Sequence, residues 1–148
     1  MTSNRPLSIL HVLRAPVGGL FRHVADLAQA QADLGHRVGI IADATTGGAR
    51  AEDVFARLSP RLALGLSRVP MSRRLGWADA AAIAHVRRRA KEARADIVHG
   101  HGAKGGAYAR LGAPGPAIKV YTPHGGSLHY RMTTPAGAFY LALERILT

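Results

Sequence analysis

The stretch Asp96-Ile-Val-His-Gly-His-Gly-Ala-Lys-Gly-Gly106, followed after a short helical segment by Val120-Tyr-Thr-Pro-His-Gly-Gly126, decides the reading of this chain. Two short apolar runs each end in histidine and then glycine. Strands of a buried parallel sheet stop in this way, with their loops presenting polar groups at one edge. The rest of the sequence reads as scaffold that brings these two edges, and a third glycine-rich one at Gly18-Gly19, to a common crevice.

Working outward, Leu7 to Leu13 is a nearly continuous apolar run and predicts a buried first strand. Arg14-Ala-Pro-Val-Gly-Gly19 breaks it. Leu20 to Leu34 then has helical spacing at Leu20, Val24, Leu27 and Leu34, with Gly35 placed for a left-handed cap. Arg37 to Asp43 is the second strand, completing a βαβ unit whose right-handed crossover makes the strands parallel. Arg50 to Leu58 reads as a helix stopped by Ser59-Pro60, and Leu62 to Val69 as a third strand with leucines 62, 64 and 66 on one face. Pro70 to Gly76 is a basic loop, and Trp77 to Ala95 a long helix with Ile83, Val86, Ala90 and Ala93 along a stripe. Asp96 to Gly100, Ala103 to Leu111 and Ile118 to Thr122 give strand, helix and strand. An irregular loop over 126–134 precedes a last helix with Pro135 in its first turn. The alternation calls for an α/β fold, a Rossmann-like doubly wound parallel sheet. The apolar stripe Phe139, Tyr140, Leu143, Ile146 and Leu147 runs to Thr148 without a terminator, which reads as a chain cut inside a helix.

The 148 residues amount to one domain, and 47% hydrophobic content is enough for an aliphatic core. No apolar run approaches the roughly 20 residues of a membrane span, and residues 1–12 are too short for a signal peptide. The expected location is therefore cytoplasmic. With no cysteine, disulfides, thiolate zinc sites and a thiol nucleophile are excluded. Twenty Lys and Arg against nine Asp and Glu give a net charge of +11, a field that favours anionic partners. Nucleic acid is not the expected one, because stacking aromatics are not interleaved with the basic residues. Arg73, Arg74, Arg87, Arg88, Arg89, Lys91 and Arg94 surround or lie on the Trp77 helix. They read either as a solvated face or as a surface for peripheral contact with an acidic membrane.

Among residues that carry chemistry, Gly18 and Gly19 follow a strand and open a helix. They allow close approach of a ligand and leave the first helical N–H groups to an anion. The spacing is not that of a dinucleotide fingerprint, and a plain tight turn is the competing reading. His99 and His101 point the same way along a strand, with Gly100 opposite. Such a pair can ligate a metal, but a third and fourth ligand are needed. His124 and His129 are the available nitrogens, Asp96 is the nearest carboxylate, and no metal is expected. His99 reads as a core histidine, and His101, at the loop, as facing a ligand. Lys104 starts a helix, where its charge opposes the helix dipole unless an anion offsets it. His124, after Thr122-Pro123 and before Gly125-Gly126, is the foremost candidate for catalysis: an imidazole on a rigid strand end beside open backbone.

At these residues the chain resembles the N-terminal domain of a retaining family 4 glycosyltransferase with the GT-B fold. The resemblance rests on Pro16-Val-Gly-Gly-Leu-Phe-Arg-His-Val24, Leu34-Gly-His-Arg-Val38, Asp96-Ile-Val-His-Gly-His-Gly102, Tyr121-Thr-Pro-His-Gly125 and the helix with Leu143-Glu144-Arg145, in the family's order. It implies a two-domain enzyme with the acceptor bound mainly in this half and a nucleotide-sugar mainly in the other. Gly18 and Gly19 match the family's glycine loop near donor phosphate and acceptor. His124 matches a histidine beside the transferred sugar, and His101 and Lys104 match the loop after the fourth strand. Gly125 and Gly126 complete the substrate-binding set.

The Glu-x7-Glu motif that members use to hold the donor belongs to the second domain and does not occur in this chain, so the fragment alone is expected to be inactive. The implied reaction is hexosyl transfer from a nucleotide-sugar to a saccharide or lipid-linked acceptor in envelope or exopolysaccharide synthesis. It would retain anomeric configuration, with no metal cofactor. A GT-B-like sugar-nucleotide epimerase and a non-catalytic binding or membrane-docking module are the alternatives.

Overall fold

The computed structural model describes residues 5–125 together with residues 134, 135, 137, 138, 142 and 145. Five strands, β1 (Ser8–Leu13), β2 (Arg37–Asp43), β3 (Gly65–Val69), β4 (Ile97–His101) and β5 (Ile118–Thr122), alternate with four helices. The helices are α1 (Gly18–Asp33), α2 (Gly48–Leu58), α3 (Trp77–Glu92) and α4 (Gly102–Gly112). All strand pairs are parallel and the order across the sheet is β3-β2-β1-β4-β5. The doubly wound, Rossmann-like fold read from the alternation is the one observed.

The two faces bury separate cores. On one, Leu13, Val38, Ile40 and Ala42 of the sheet meet Phe21, Val24 and Ala28 of α1 and Phe55 of α2. On the other, Leu10, Val12, Ile41 and Val98 meet Val86 and Ala90 of α3 and Tyr108 and Ala109 of α4. Strand pleating explains the split: neighbours along β1 point to opposite faces, so Leu10 and Val12 serve the α3–α4 side while His11 and Leu13 face α1. Gly100 likewise faces α4, where a side chain would overlap the backbone of Gly105 and Gly106. Strand and helix approach that closely only because all three are glycine.

Helix α2 ends at Leu58, as expected from Ser59-Pro60, and a single 3-10 turn, Ser59–Arg61, follows with Pro60 in its first turn. Two local expectations change. The third strand begins only at Gly65, so Leu62 and Leu64 precede it: Leu62 packs into the same core as Leu66, and Leu64 into the opposite one. The fourth strand runs through His101 instead of stopping at Gly100. Gly35 does take the left-handed conformation expected of it, with φ 86°. At the far end, residues 135, 137, 138, 142 and 145 are helical. Thr134 Oγ1 accepts a hydrogen bond from the Gly137 N–H at 3.1 Å, the bond of a helix N-cap. The apolar stripe of that helix, His129 and residues 126–133 of the loop expected over 126–134 lie outside the described residues.

Candidate functional site

From β1 the chain turns to α1 on one face of the sheet, and from β4 to α4 on the other. A crevice opens outside the carboxyl ends of strands that diverge in this way. Helix α1 and helix α4 both start at this edge, and neither has a side-chain hydrogen bond at its N-cap. Gly18 has φ +62°, a left-handed conformation that disfavours a side chain, and the space around Gly18 and Gly19 is open. On its outer side the glycine loop borders a groove of about 770 Å³ between α1 and α2, lined in part by Arg22, Arg50 and Arg57.

The register decides what else reaches this edge. His11 pairs with His99, Leu13 with His101 and His101 with Thr122. His11, His99 and His101 therefore share the α1 face, and their rings touch: His99 and His101 stack with centroids 4.0 Å apart, and His11 lies 5.3 and 5.2 Å from them. The loop after β5 brings His124 to His101, at 5.3 Å between centroids, and α1 brings His23 to His124, at 5.0 Å. The result is a run of five imidazoles from the buried core to the open edge.

Hydrogen bonds order this run. Gln31 of α1 presents Oε1 2.7 Å from His11 Nε2, so that nitrogen carries a proton and donates. His11 Nδ1 is then an acceptor, met by His101 Nε2 at 3.0 Å. His101 Nδ1 in turn accepts from His124 Nε2 at 3.1 Å. One glutamine thus fixes the tautomer of three rings and leaves Nδ1 of His124 with a lone pair. His99 stands beside the run with Nε2 2.8 Å from Thr122 Oγ1.

Burial sets the protonation of these groups. Desolvation pushes His11 down to about 4, with nearby imidazoles adding to it against the bond to Gln31. His99 falls to about 4 and His101 to about 2, in each case mainly through burial and then through repulsion from neighbouring rings. His124 is also lowered, by burial and then by His23. His124 has φ 52°, an uncommon conformation for a residue with a side chain, followed by Gly125 at φ 73°. A backbone held in this way at a ring that faces the crevice is the kind of local strain found at functional sites.

The structure therefore brings Gly18, Gly19, His101, His124 and Gly125 to one edge, while Gly126 lies outside the described residues. Two expectations are corrected. His101 is not at an exposed loop: it is the last residue of β4 and 1% exposed, deeper than His99 at 9%. Lys104 is 6% exposed and fully engaged within the chain. Its ammonium donates to Asp79 Oδ1 at 2.6 Å and to the carbonyls of Ser72 and Arg74 at 2.5 and 2.9 Å. The anion that offsets its position at the start of α4 is thus Asp79, which also accepts from Tyr108 and, through Oδ2, from the Gly76 N–H. Burial alone would raise the Asp79 carboxyl, but the bonds from Lys104, Tyr108 and Gly76 outweigh it and hold the pKa below the usual value. Asp96 sits at the opposite end of β4, bonded to Arg5 and the Ser8 N–H, far from any role with the histidines.

Residues not singled out from the sequence complete the site. His11 was visible only as a polar interruption of an apolar strand, and His23 as one polar position of an amphipathic helix. Neither pattern says what faces it. Arg14, at the end of β1, has a buried Nε with no hydrogen-bond partner among the described residues.

Comparison with known proteins agrees with this architecture. A glycosyltransferase from Rickettsia africae ESF-5 superimposes with a TM-score of 0.58 over 87% of this chain, at 18% sequence identity. That likeness concerns the fold, and the chain spans 34% of the length of that protein. No curated protein matches the sequence. Residues 17–148 match Glycosyltransferase Family 4, and the chain belongs to that family.

Proposed function

We propose that this chain is the acceptor-side, N-terminal domain of a two-domain GT-B glycosyltransferase. It would transfer a hexosyl unit from a nucleotide-sugar to a saccharide or lipid-linked acceptor in envelope or exopolysaccharide synthesis. Family membership supports the reaction class. The 34% coverage of the structural neighbour supports a further domain. The observation that carries the reading is the convergence of His124 and the Gly18–Gly19 helix start at one crevice, linked by His23 against His124.

In this reading the open backbone at Gly18, Gly19 and Gly125 lets substrate approach closely, and the uncapped N–H groups of α1 face the leaving diphosphate. His124 accepts a sugar hydroxyl through Nδ1, its ring oriented by His101. The groove beside the glycine loop, with its three arginines, receives the acceptor. Closure of a second domain over the crevice excludes water, and the chemistry needs no metal cofactor. The test is His124→Ala in the full-length protein with transfer measured. A loss of about 100-fold or more in turnover is expected for a group that stabilises the reacting sugar, and activity within a few-fold of the parent rejects the assignment.

A peripheral contact with an acidic membrane at the cytoplasmic face is favoured by one surface feature. Trp77 is 94% exposed and Leu75 51% exposed at the start of α3, next to Arg73 and Arg74. An exposed indole flanked by arginines matches the chemistry of a headgroup layer. The rest of the basic cluster is partly tied down: Arg88 and Arg89 pair with Glu92, and Arg87 donates to the Leu111 carbonyl. Among the described residues no helix is long and apolar enough to cross a membrane.

A further inference from the structure

We infer that His23, His101 and His124 form a binding site for a first-row transition-metal dication such as Zn²⁺, Co²⁺, Ni²⁺ or Cu²⁺. The sequence offered His124 and His129 as further nitrogens beside His99 and His101. The fold brings His124, on the loop after β5, to His101 and adds His23 from α1. One ring nitrogen from each of His23, His101 and His124 lies within 4.8 Å of the others. His101 Nδ1 and His124 Nε2 are already 3.1 Å apart. Ligand nitrogens around a tetrahedral ion with bonds of about 2.0–2.1 Å are separated by roughly 3.3 Å, so the ion needs only a small parting of the rings.

The surroundings of His101 are those of a metal ligand. A ligating imidazole is normally oriented by an acceptor on its other nitrogen. Here His101 Nε2 donates to His11 Nδ1, and His11 Nε2 donates to Gln31, which keeps the His101 Nδ1 lone pair directed at His124. On binding, the proton on His124 Nε2 moves to Nδ1 of the same ring and the metal takes its place.

Access separates this group from the neighbouring trio of His11, His99 and His101. His23 is exposed and His124 half-buried, whereas His11 is fully buried, and Nε2 of His11 and of His99 are committed to Gln31 and Thr122. No carboxylate joins either group among the described residues. An all-imidazole site in a chain of charge +11 has nothing to offer Mg²⁺ or Ca²⁺, which want oxygen ligands, and selects ions by nitrogen affinity. Because His124 serves both, an ion here would block the sugar contact rather than assist transfer. That consequence rests on the function proposed for His124, while binding does not.

The test is a titration of the metal-free chain with Co²⁺, followed by the visible absorption that an imidazole-bound ion acquires, with Zn²⁺ as competitor. Saturation at a single ion per chain, displacement by Zn²⁺ and indifference to Mg²⁺ are expected. His23→Ala changes an exposed side chain and leaves the fold intact, so it is the decisive variant. It should weaken binding at least about tenfold, as should Gln31→Leu through loss of the outer acceptor, while His85→Ala, remote on α3, should not. Absence of the Co²⁺ spectrum, or binding by the His23 variant as tight as by the parent, overturns the site.

Discussion

Lys104 shows how a residue's chemistry is set by what the fold places around it. Beside glycines at a helix start, its charge looks available to a phosphate. In the folded chain all three of its N–H donors are used, and with Asp79 and Tyr108 it clamps the 70–76 loop and the start of α3 onto α4. Removing one member of a buried ion pair strands the other. Lys104→Ala should therefore destabilise the chain by roughly 3 kcal/mol in urea unfolding, and a change below about 1 kcal/mol would show the ammonium to be solvated. Asp43 plays a similar part at the end of β2, accepting from Thr45, Thr46 and the Met71 N–H. These bonds outweigh the upward push of burial and hold its carboxyl below the usual value. The partners of Lys104 come from 25 to 32 positions away, so no local pattern announces the clamp around it.

The β4–α4 unit is where an element's packing depends on single atoms. The turn from His101 into Gly102 and the helix beyond lie against β1 and β5 with no room for a methyl group at residue 100, 105 or 106. A Cβ at Gly106 would run into the Tyr121 ring, and one at Gly105 into the Val12 carbonyl. Gly106→Ala should cost about 1–3 kcal/mol through overpacking. Gly115→Ala, with open space around it, should be close to neutral, and equal stability of the two in thermal unfolding would show the contact to be soft. The same close approach carries His101 to the end of its strand, where it meets His124. Strand and helix existence here was readable from apolar runs and glycine breaks. The extension of β4 to His101 was not, because a histidine after glycine looks like a loop until a paired strand, here β1 and β5, supplies its hydrogen bonds.

At the scale of the whole molecule, the buried histidines make stability depend on pH. His11 and His99 titrate near 4 in the fold against 6.5 in the open chain. Below about 6.5 the unfolded chain takes up protons that the folded one refuses, so stability is full above that value and falls as pH drops toward 4. The slope is up to about 1.4 kcal/mol per pH unit for each such histidine. The thermal midpoint should fall clearly between pH 7 and pH 5, and an unchanged midpoint would mean that the cluster accepts protons. The charged surface makes a second prediction at this scale: binding to acidic vesicles should exceed binding to neutral ones and weaken in Trp77→Ala. Equal sedimentation with both lipid compositions rejects a membrane surface at α3.

What the sequence determined by itself was the order of elements and, through their alternation, the parallel doubly wound sheet. Apolar periodicity and glycine breaks are local properties that survive without knowledge of neighbours. It also marked Gly18, Gly19 and His124 as residues at strand ends. What only the tertiary structure decided was which polar groups meet. The joining of His11, His23, His101 and His124, and the removal of Lys104 into an ion pair, depend on register and crossover, which bring together residues up to about a hundred positions apart.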